Sequence, residues 1–300
     1  MQRTPPPLLT SPSRFSDYKE ERESGGRGDW ETGMIIIGEL LNSTREGIRR
    51  AVGECDAALI KDLATRQEAA GAAYLDVNAG AFAEREIEQL EWMIRTVREA
   101  TALPLCIDSP KPEALDRGCA IAGGSLIVNS ISAESERFQS VLPIVKQYNT
   151  GVIALAMDDA GMSDDEDTVY TVACRLAERL MSEGVAPERI FLDPLVRPIG
   201  ANSSYGGLAL NLIRRIRDTF PEIHMICGLS NVSFGLPKRR ILNRALLILA
   251  MASGLDAAIL DPLDAPLMAH LKAAEALLGY DDYCINYIAA ARSGAFDGID

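Results

Sequence analysis

The amino-acid sequence predicts an α/β fold, a (β/α)8 TIM barrel preceded by a disordered N-terminal extension. From residue 34 onward, short apolar and β-branched segments alternate with longer segments of helical periodicity. This alternation indicates parallel strands, because parallel neighbours need a crossover connection. Eight such strands, each followed by a helix, are the number that closes a barrel.

Each predicted strand is short, and glycine or proline stands at most junctions with the helices. The predicted strands are Ile35–Gly38, Ala73–Val77, Leu105–Ile107, Ser125–Val128, Val152–Ala156, Ile190–Leu192, His224–Cys227 and Ala257–Leu260. The clearest helical segments are Glu84–Ala100, Asp167–Glu183 and Arg239–Ser253. A doubly wound open sheet is the alternative. It is weakened because GELLNSTREG follows the first strand, where a dinucleotide-binding sheet carries G-x-G-x-x-G.

Composition divides the chain into three parts. Residues 1–33 combine Pro, Ser and Gly with alternating charge, and such a segment cannot bury enough apolar area to offset its ordering entropy. We therefore expect a disordered extension over residues 1–33. The barrel is expected over residues 34–290, followed by a C-terminal tail over residues 291–300.

Charge and residue counts exclude several classes of function. The net charge of −13 opposes binding to nucleic acid, whose phosphates are negative. The chain has no apolar stretch of about 18 residues and no secretory signal, which predicts a cytoplasmic protein without a membrane partner. Six cysteines form no C-x-x-C pair and only two histidines occur, so no metal site is expected. Cys106 and Cys227 are predicted to be buried thiols, and His224 in IHMIC a structural residue.

Acidic or amide residues follow nearly every predicted strand. They are Glu39, Asp76, Asn78, Asp108, Asn129, Asp158, Asp193, Asn231 and Asp261. In a barrel these positions share the rim at the carboxyl ends of the strands, where barrel active sites lie. Any one of them can be explained as a helix cap or a turn residue. The set as a whole favours a ligand site.

The chemistry of this rim suits a ligand with N–H donors and ring acceptors. A pterin is such a ligand, because its 2-amino and N3–H groups can donate two parallel hydrogen bonds to one carboxylate. A divalent cation held by carboxylates is the alternative. The acidic groups are spread around the rim, are mixed with amides and include no histidine, which weakens the cation hypothesis. None of the six lysines lies in a predicted strand, which disfavours a Schiff-base aldolase.

Short motifs in a fixed order then identify a family. They are IIIGE, LDVNAG, EWM, CIDS, IVNSISAE, LDPL, GLSNVSFG, LLILAMASGLDAAILDP and EALLGYDDYC, over about residues 34–290. With them the chain resembles the pterin-binding methyltransferases. These include methyltetrahydrofolate:corrinoid/iron–sulfur protein methyltransferase and the pterin domain of cobalamin-dependent methionine synthase. The resemblance implies a homodimer. It also implies transfer of the N5-methyl group of methyltetrahydrofolate to the cobalt of a corrinoid protein, such as a corrinoid/iron–sulfur protein, or the reverse.

The resemblance also implies roles for individual residues. Asp108, Asn129 and Asp193 are expected to hold the pterin ring, and Asn231 to lie near N5. Glu39, Gly228 and Ser230 are expected to line the pocket, and Arg239 to contact the folate tail. Asn231 and Asp193 are the expected catalytic residues, through hydrogen bonding and proton exchange at N5. Two positions depart from the family pattern: Pro110 stands where close members have Thr, and Phe234 where some have an amide.

Two other functions stay open. A dihydropteroate synthase also binds a pterin in a barrel, but its pattern places a basic Ser–Arg–Lys-like segment after the seventh strand, where this chain has GLSNVS. A non-catalytic pterin-binding homologue is the second alternative. The complete set of polar strand ends argues against it.

Overall fold

A computed structural model of the protein describes residues 33–299, so the predicted extension lies outside the described residues except for Gly33. Eight parallel strands pair in chain order, and β8 closes on β1, which confirms the (β/α)8 barrel. The strands are β1 Ile35–Asn42, β2 Tyr74–Asn78, β3 Leu105–Asp108, β4 Leu126–Ser132, β5 Gly151–Leu155, β6 Ile190–Asp193, β7 His224–Gly228 and β8 Ala257–Leu260.

Helices connect consecutive strands and cover the outside of the barrel. Over the described range they are α1 Glu46–Gly53, α2 Ala57–Ala69, α3 Glu86–Arg98, α4 Pro112–Ala122, α5 Ser135–Tyr148, α6 Glu166–Ser182, α7 Tyr205–Thr219, α8 Arg239–Ala252, α9 Ala265–Leu277 and α10 Ile285–Arg292. None of these helices is both long and apolar enough to cross a membrane.

The strands alternate two kinds of side chain, as the period of a strand requires. Side chains that point outward, such as Leu75 and Val77 of β2, pack with the helices in the main apolar core. Side chains that point inward form a separate cluster inside the barrel. Its fully or nearly fully buried members are Ile37, Cys106, Ile127, Ile153, Phe191, Ile226 and Ala257. Cys106 and Cys227 are buried and unbridged, as predicted.

The first strand is longer than predicted. Sequence analysis ended it at Gly38, with Glu39 as the polar residue at the strand end, whereas β1 continues to Asn42. Its pairing with β2 is irregular between Gly38 and Leu41. A glycine followed by a charged residue looks like the end of a strand, but here it marks this irregularity within the strand.

Arginine side chains brace the base of the barrel, where the strands begin. Arg98 of α3 donates to the carbonyl oxygens of Leu103, Ala122 and Gly123, just before β3 and β4. His224 also lies at this end, as the first residue of β7. Its ring stacks on Phe191 with the centroids 4.7 Å apart, which agrees with a structural role.

Candidate active site

The alternation that fills the barrel with apolar side chains also builds its polar mouth. Moving two residues along a strand keeps the same face, so each inward apolar residue is followed by an inward polar one. Ile37 is followed by Glu39, Cys106 by Asp108, Ile127 by Asn129 and Phe191 by Asp193. The sequence-predicted residues Glu39, Asp108, Asn129 and Asp193 therefore share the interior face at the carboxyl ends of their strands.

Two hydrogen bonds between amides and carboxylates join strands β2, β3 and β4 at this mouth. Asn78 Nδ2 of β2 donates to Asp108 Oδ2 of β3 at 2.8 Å. Asn129 Nδ2 of β4 donates to Asp76 Oδ1 of β2 at 3.3 Å, across β3. Because the Asn129 amide directs its nitrogen to Asp76, its oxygen is the atom that can accept from a ligand N–H.

The two carboxyl groups in this network differ in their tendency to ionise. Burial raises the pKa of Asp108 from 3.8 to about 6, against the opposing effects of the Asn78 hydrogen bond and the Arg137 charge. Burial, followed by the charge of Asp108, raises the pKa of Asp76 well above its ordinary value. Asp108 is therefore mostly ionised near neutral pH and can accept hydrogen bonds from a ligand, whereas burial favours the neutral form of Asp76.

Asp193, at the end of β6, is a buried acid. Burial raises the pKa of its carboxyl from 3.8 to about 7, although hydrogen bonds from the backbone N–H groups of Leu195 and Gly228 oppose the rise. The Leu195 N–H donates to Asp193 Oδ1 at 2.7 Å. A group with this pKa can both give and take a proton near neutral pH, which is the property required of a general acid or base.

The loop after β7 places Asn231 next to Gly228. A Cβ atom at Gly228 would lie 3.0 Å from Asn231 Nδ2, tighter than most contacts of side chains, so glycine leaves room for the amide. Arg239 braces the same loop from the start of α8, because its guanidinium donates to the Ser230 carbonyl at 2.7 Å and to Ser233 Oγ at 3.1 Å. Arg239 is exposed and also holds the loop that carries Asn231.

The remaining acidic strand ends differ in their surroundings. Burial raises the pKa of Glu39, against the charge of Arg45, whose guanidinium donates to Glu39 Oε1 at 2.5 Å. Asp261 accepts from the Leu263 N–H at 2.9 Å in a turn. Asp158 pairs with Arg175 of α6 at 2.6 Å. Asp158 and Asp261 therefore both accept a hydrogen bond from a main-chain N–H two residues later, as turn residues do. Glu39 belongs to the polar mouth.

Sequence analysis missed a residue that connects two parts of this site. Arg137, on the first turns of α5, donates hydrogen bonds to the carbonyl oxygens of Ser109, Pro110 and Ser130. It also lines an open cavity of about 380 Å³ together with Asp108. The strand pattern gives no signal for Arg137, because it lies on a helix eight positions after Asn129 and its partners are main-chain atoms.

Metal ligands are not clustered in the described part of the chain. Over residues 33–299 no group of three or more His, Cys, Asp or Glu side chains has the arrangement of a metal site. The carboxylates at the mouth are bonded to amides and an arginine instead. This environment suits an organic ligand with its own hydrogen-bond donors better than a cation.

Comparison with known proteins gives three related results. The chain is 38% identical over 264 residues to the methylcorrinoid:tetrahydrofolate methyltransferase of Eubacterium limosum, covering 87% of this chain and 97% of that one. It is 27% identical to the methionine synthase of Mycobacterium tuberculosis over 76% of this chain but only 20% of that protein. A dihydropteroate synthase from Xanthomonas albilineans, solved with 7,8-dihydropteroate, matches with a TM-score of 0.63 at 21% identity. This structural match covers 82% of this chain and 93% of the dihydropteroate synthase chain.

These similarities differ in what they establish. At 21% identity, the dihydropteroate synthase structure supports the barrel fold alone. The family described as pterin-binding enzymes matches residues 38–261, a range that runs from the first strand to Asp261 at the end of the eighth. That match spans all the strand ends described above. The similarity to the Eubacterium limosum relative covers nearly the whole length of that protein. The chain therefore belongs to the family of pterin-binding enzymes.

Proposed function

We propose that this protein is a methyltransferase that moves a methyl group between a corrinoid protein and N5 of tetrahydrofolate. The observation that carries the proposal is the polar mouth itself. An ionised Asp108, an Asn129 amide with a fixed nitrogen and a buried Asp193 stand at the ends of three strands. The 38% identity to a methylcorrinoid:tetrahydrofolate methyltransferase supports the same reaction.

The pterin ring is proposed to bind across β3, β4 and β6. Ionised Asp108 accepts from N–H groups of the pterin, and Asn129 offers its oxygen as a further acceptor. Glu39, Gly228 and Ser230 complete the walls. Gly228 lets a ligand approach the main chain closely, because it has no side chain.

The substrate's chemistry assigns the remaining roles. When N5 of tetrahydrofolate gains a methyl group it must lose its proton, and when it gives up the methyl group it must first be protonated. Asp193, whose pKa is about 7, is proposed to exchange this proton, with the Asn231 oxygen accepting a hydrogen bond from protonated N5. The partner's corrinoid cobalt supplies or accepts the methyl group. The name of the Eubacterium limosum relative favours transfer from the corrinoid to tetrahydrofolate as the working direction.

The loop after β7 favours this reaction over dihydropteroate synthesis. That synthesis releases a diphosphate group, which calls for basic side chains at this position. The described loop has Ser230 and Asn231 there, and Arg239 of the following helix is hydrogen-bonded to Ser230 and Ser233. The similarity to dihydropteroate synthases is therefore best explained by the shared barrel.

A homodimer is proposed through the outer face of α8. Five apolar residues on this helix are exposed at helical spacing, and we call them the α8 stripe: Ile241, Ala245, Ile248, Leu249 and Ala252. Ile241 is 64% exposed and Leu249 is 53% exposed. A helix that is apolar on all sides is usually buried, and residues 245–252 read ALLILAMA. A second copy presenting the same uncharged stripe would cover this surface and give the homodimer that the family resemblance implies.

Sedimentation tests this contact. Leu249→Glu places a charge in the α8 stripe and is expected to give monomers, whereas Leu277→Glu, on α9, changes an exposed leucine outside the stripe. A wild-type protein that sediments as a monomer would contradict the dimer. The cytoplasmic location stays a prediction.

An anaerobic transfer assay tests the proposed reaction. The protein is mixed with tetrahydrofolate and methylcobalamin, and methyltetrahydrofolate formation is followed by mass spectrometry while the cobalt absorbance is recorded. We expect protein-dependent methyl transfer, and transfer in the opposite direction from methyltetrahydrofolate to reduced cobalamin. Tetrahydrofolate binding without transfer in either direction would make this a pterin-binding protein. Formation of dihydropteroate from its two precursors would make it a synthase.

A further inference from the structure

One arginine connects the main-chain segments that directly follow the proposed pterin ligands of β3 and β4. Arg137 Nε donates to the Ser130 carbonyl at 2.9 Å, and Nη2 donates to the Ser109 carbonyl at 2.9 Å. Its Nη1 donates to the Pro110 carbonyl. All three guanidinium nitrogens therefore bind main-chain oxygens, two of them in the loop after β3 and one within β4.

These oxygens lie directly beside the ligand-binding positions. Ser109 and Pro110 follow Asp108, and Ser130 follows Asn129. A guanidinium is planar and presents its N–H donors in a rigid fork, so it fixes the relative positions of the atoms that it binds. Strand pairing already joins the two segments, because the Ser109 N–H donates to the Asn129 carbonyl at 3.1 Å, and Arg137 adds a second constraint on their relative position.

The charge of Arg137 also affects the ionisation of Asp108. The positive guanidinium favours the ionised form of Asp108, as does the Asn78 hydrogen bond. The buried Glu86 of α3 is a like charge that opposes ionisation of Asp108. Glu86 is in turn paired with a cation, because Lys111 Nζ lies 3.4 Å from Glu86 Oε2.

We propose that Arg137 is a positioning residue for the pterin site, whose guanidinium holds the main-chain segments around Asp108 and Asn129 in the geometry that binds the pterin ring. The inference rests on the proposed function, since it concerns the same pterin. It gives Arg137 no contact with the substrate. It is also compatible with Pro110, one of the two departures from the family pattern, because a proline carbonyl accepts a hydrogen bond as well as any other.

The chain contains a matched control for this arginine. Arg98 donates to three carbonyl oxygens in the same way, at the opposite ends of β3 and β4, and is half-buried like Arg137. Arg98→Lys and Arg137→Lys therefore remove the same kind of hydrogen bonds between the same two strands. A purely structural role predicts similar effects for the two variants.

Tetrahydrofolate binding, measured by calorimetry between pH 5 and pH 8, separates the possibilities. Arg137→Lys is expected to weaken binding by about 10- to 100-fold, since displacement of a binding group by about 1 Å can have effects of this size. Arg98→Lys should change it less than about threefold. Arg137→Met also removes the positive charge, which raises the pKa of Asp108. As the pH is lowered, Asp108 should then become protonated, and binding should be lost, at a higher pH in Arg137→Met than in Arg137→Lys.

Three outcomes would overturn the inference. If both Arg137 variants bind tetrahydrofolate as tightly as Arg98→Lys does, the inference is wrong and the proposed function is unaffected. Failure of both Arg137 variants to fold, when Arg98→Lys folds, would make Arg137 a residue of the fold and not of the site. Absence of tetrahydrofolate binding by the wild-type protein would contradict the proposed function itself, and with it this inference.

Discussion

Replacing Asp193 with asparagine removes a buried carboxyl group whose pKa lies near 7 in the folded protein and near 3.8 otherwise. Below pH 3.8 the carboxyl is neutral in both the folded and the unfolded chain. As the pH rises from 3.8 to 7, the unfolded chain ionises first, so the folded state loses stability. Above pH 7 both forms are ionised and the loss is complete.

The size of the effect follows from the two pKa values. Between pH 5 and pH 8 the folded group remains protonated over about two pH units in which the unfolded group is ionised. At about 1.4 kcal/mol per unit, the wild-type protein loses about 3 kcal/mol over this interval relative to Asp193→Asn. Asparagine does not titrate, so the comparison is independent of any constant cost from its one fewer acceptor oxygen.

Urea unfolding at pH 5 and pH 8 measures this difference. The control is Asp165→Asn, because Asp165 is an exposed N-cap of α6 with a lowered pKa, and asparagine caps equally well. Its unfolding free energy should follow that of the wild-type protein. Asp193→Asn should also slow methyl transfer by about 10²–10⁴-fold if the carboxyl exchanges the N5 proton. Parallel pH dependence of Asp193→Asn and wild-type stability would refute the assignment of a buried neutral acid.

Four further predictions concern the proposed site and the chain around it. Asp108→Ala should weaken tetrahydrofolate binding by about 2–5 kcal/mol in calorimetry while the protein stays folded, and unchanged binding would remove Asp108 from the site. Asn231→Ala should reduce the single-turnover transfer rate by about 10²–10³-fold and raise the dissociation constant much less; equal losses would make it a simple binding contact. Methyl transfer should survive excess chelator, and loss of activity with removal of stoichiometric zinc would contradict this. A chain that starts at Met34 should bind tetrahydrofolate as the full chain does, and a large loss of affinity would show that residues 1–33 contribute.

Strand periodicity predicted the residues whose positions depend on local sequence alone. Asp108, Asn129 and Asp193 each lie two positions after an inward apolar residue, so their direction follows from the pleat of the strand. Their location at one mouth follows from the parallel order of the strands. These two rules explain why the sequence was sufficient for the core of the candidate site.

Pairings across the barrel were beyond the reach of the sequence. The Asn129–Asp76 hydrogen bond spans 53 positions and crosses an intervening strand, so it depends on barrel closure and strand stagger. Arg137 binds carbonyl oxygens, which every residue type supplies, and no side-chain pattern marks such an acceptor. The end of β1 was predicted too early because a glycine followed by a charged residue resembles the end of a strand.

The carbonyl contacts of Arg137 have a consequence for how the sequence of this barrel can evolve. A bond to a main-chain oxygen does not specify the side chain beside it, so positions 110 and 130 can accept substitutions without loosening the brace. Randomising these two positions while keeping Arg137 would vary the lining of the adjoining cavity on a constant frame. New ligand preferences could then arise at the mouth through side chains alone, at little cost in folding stability.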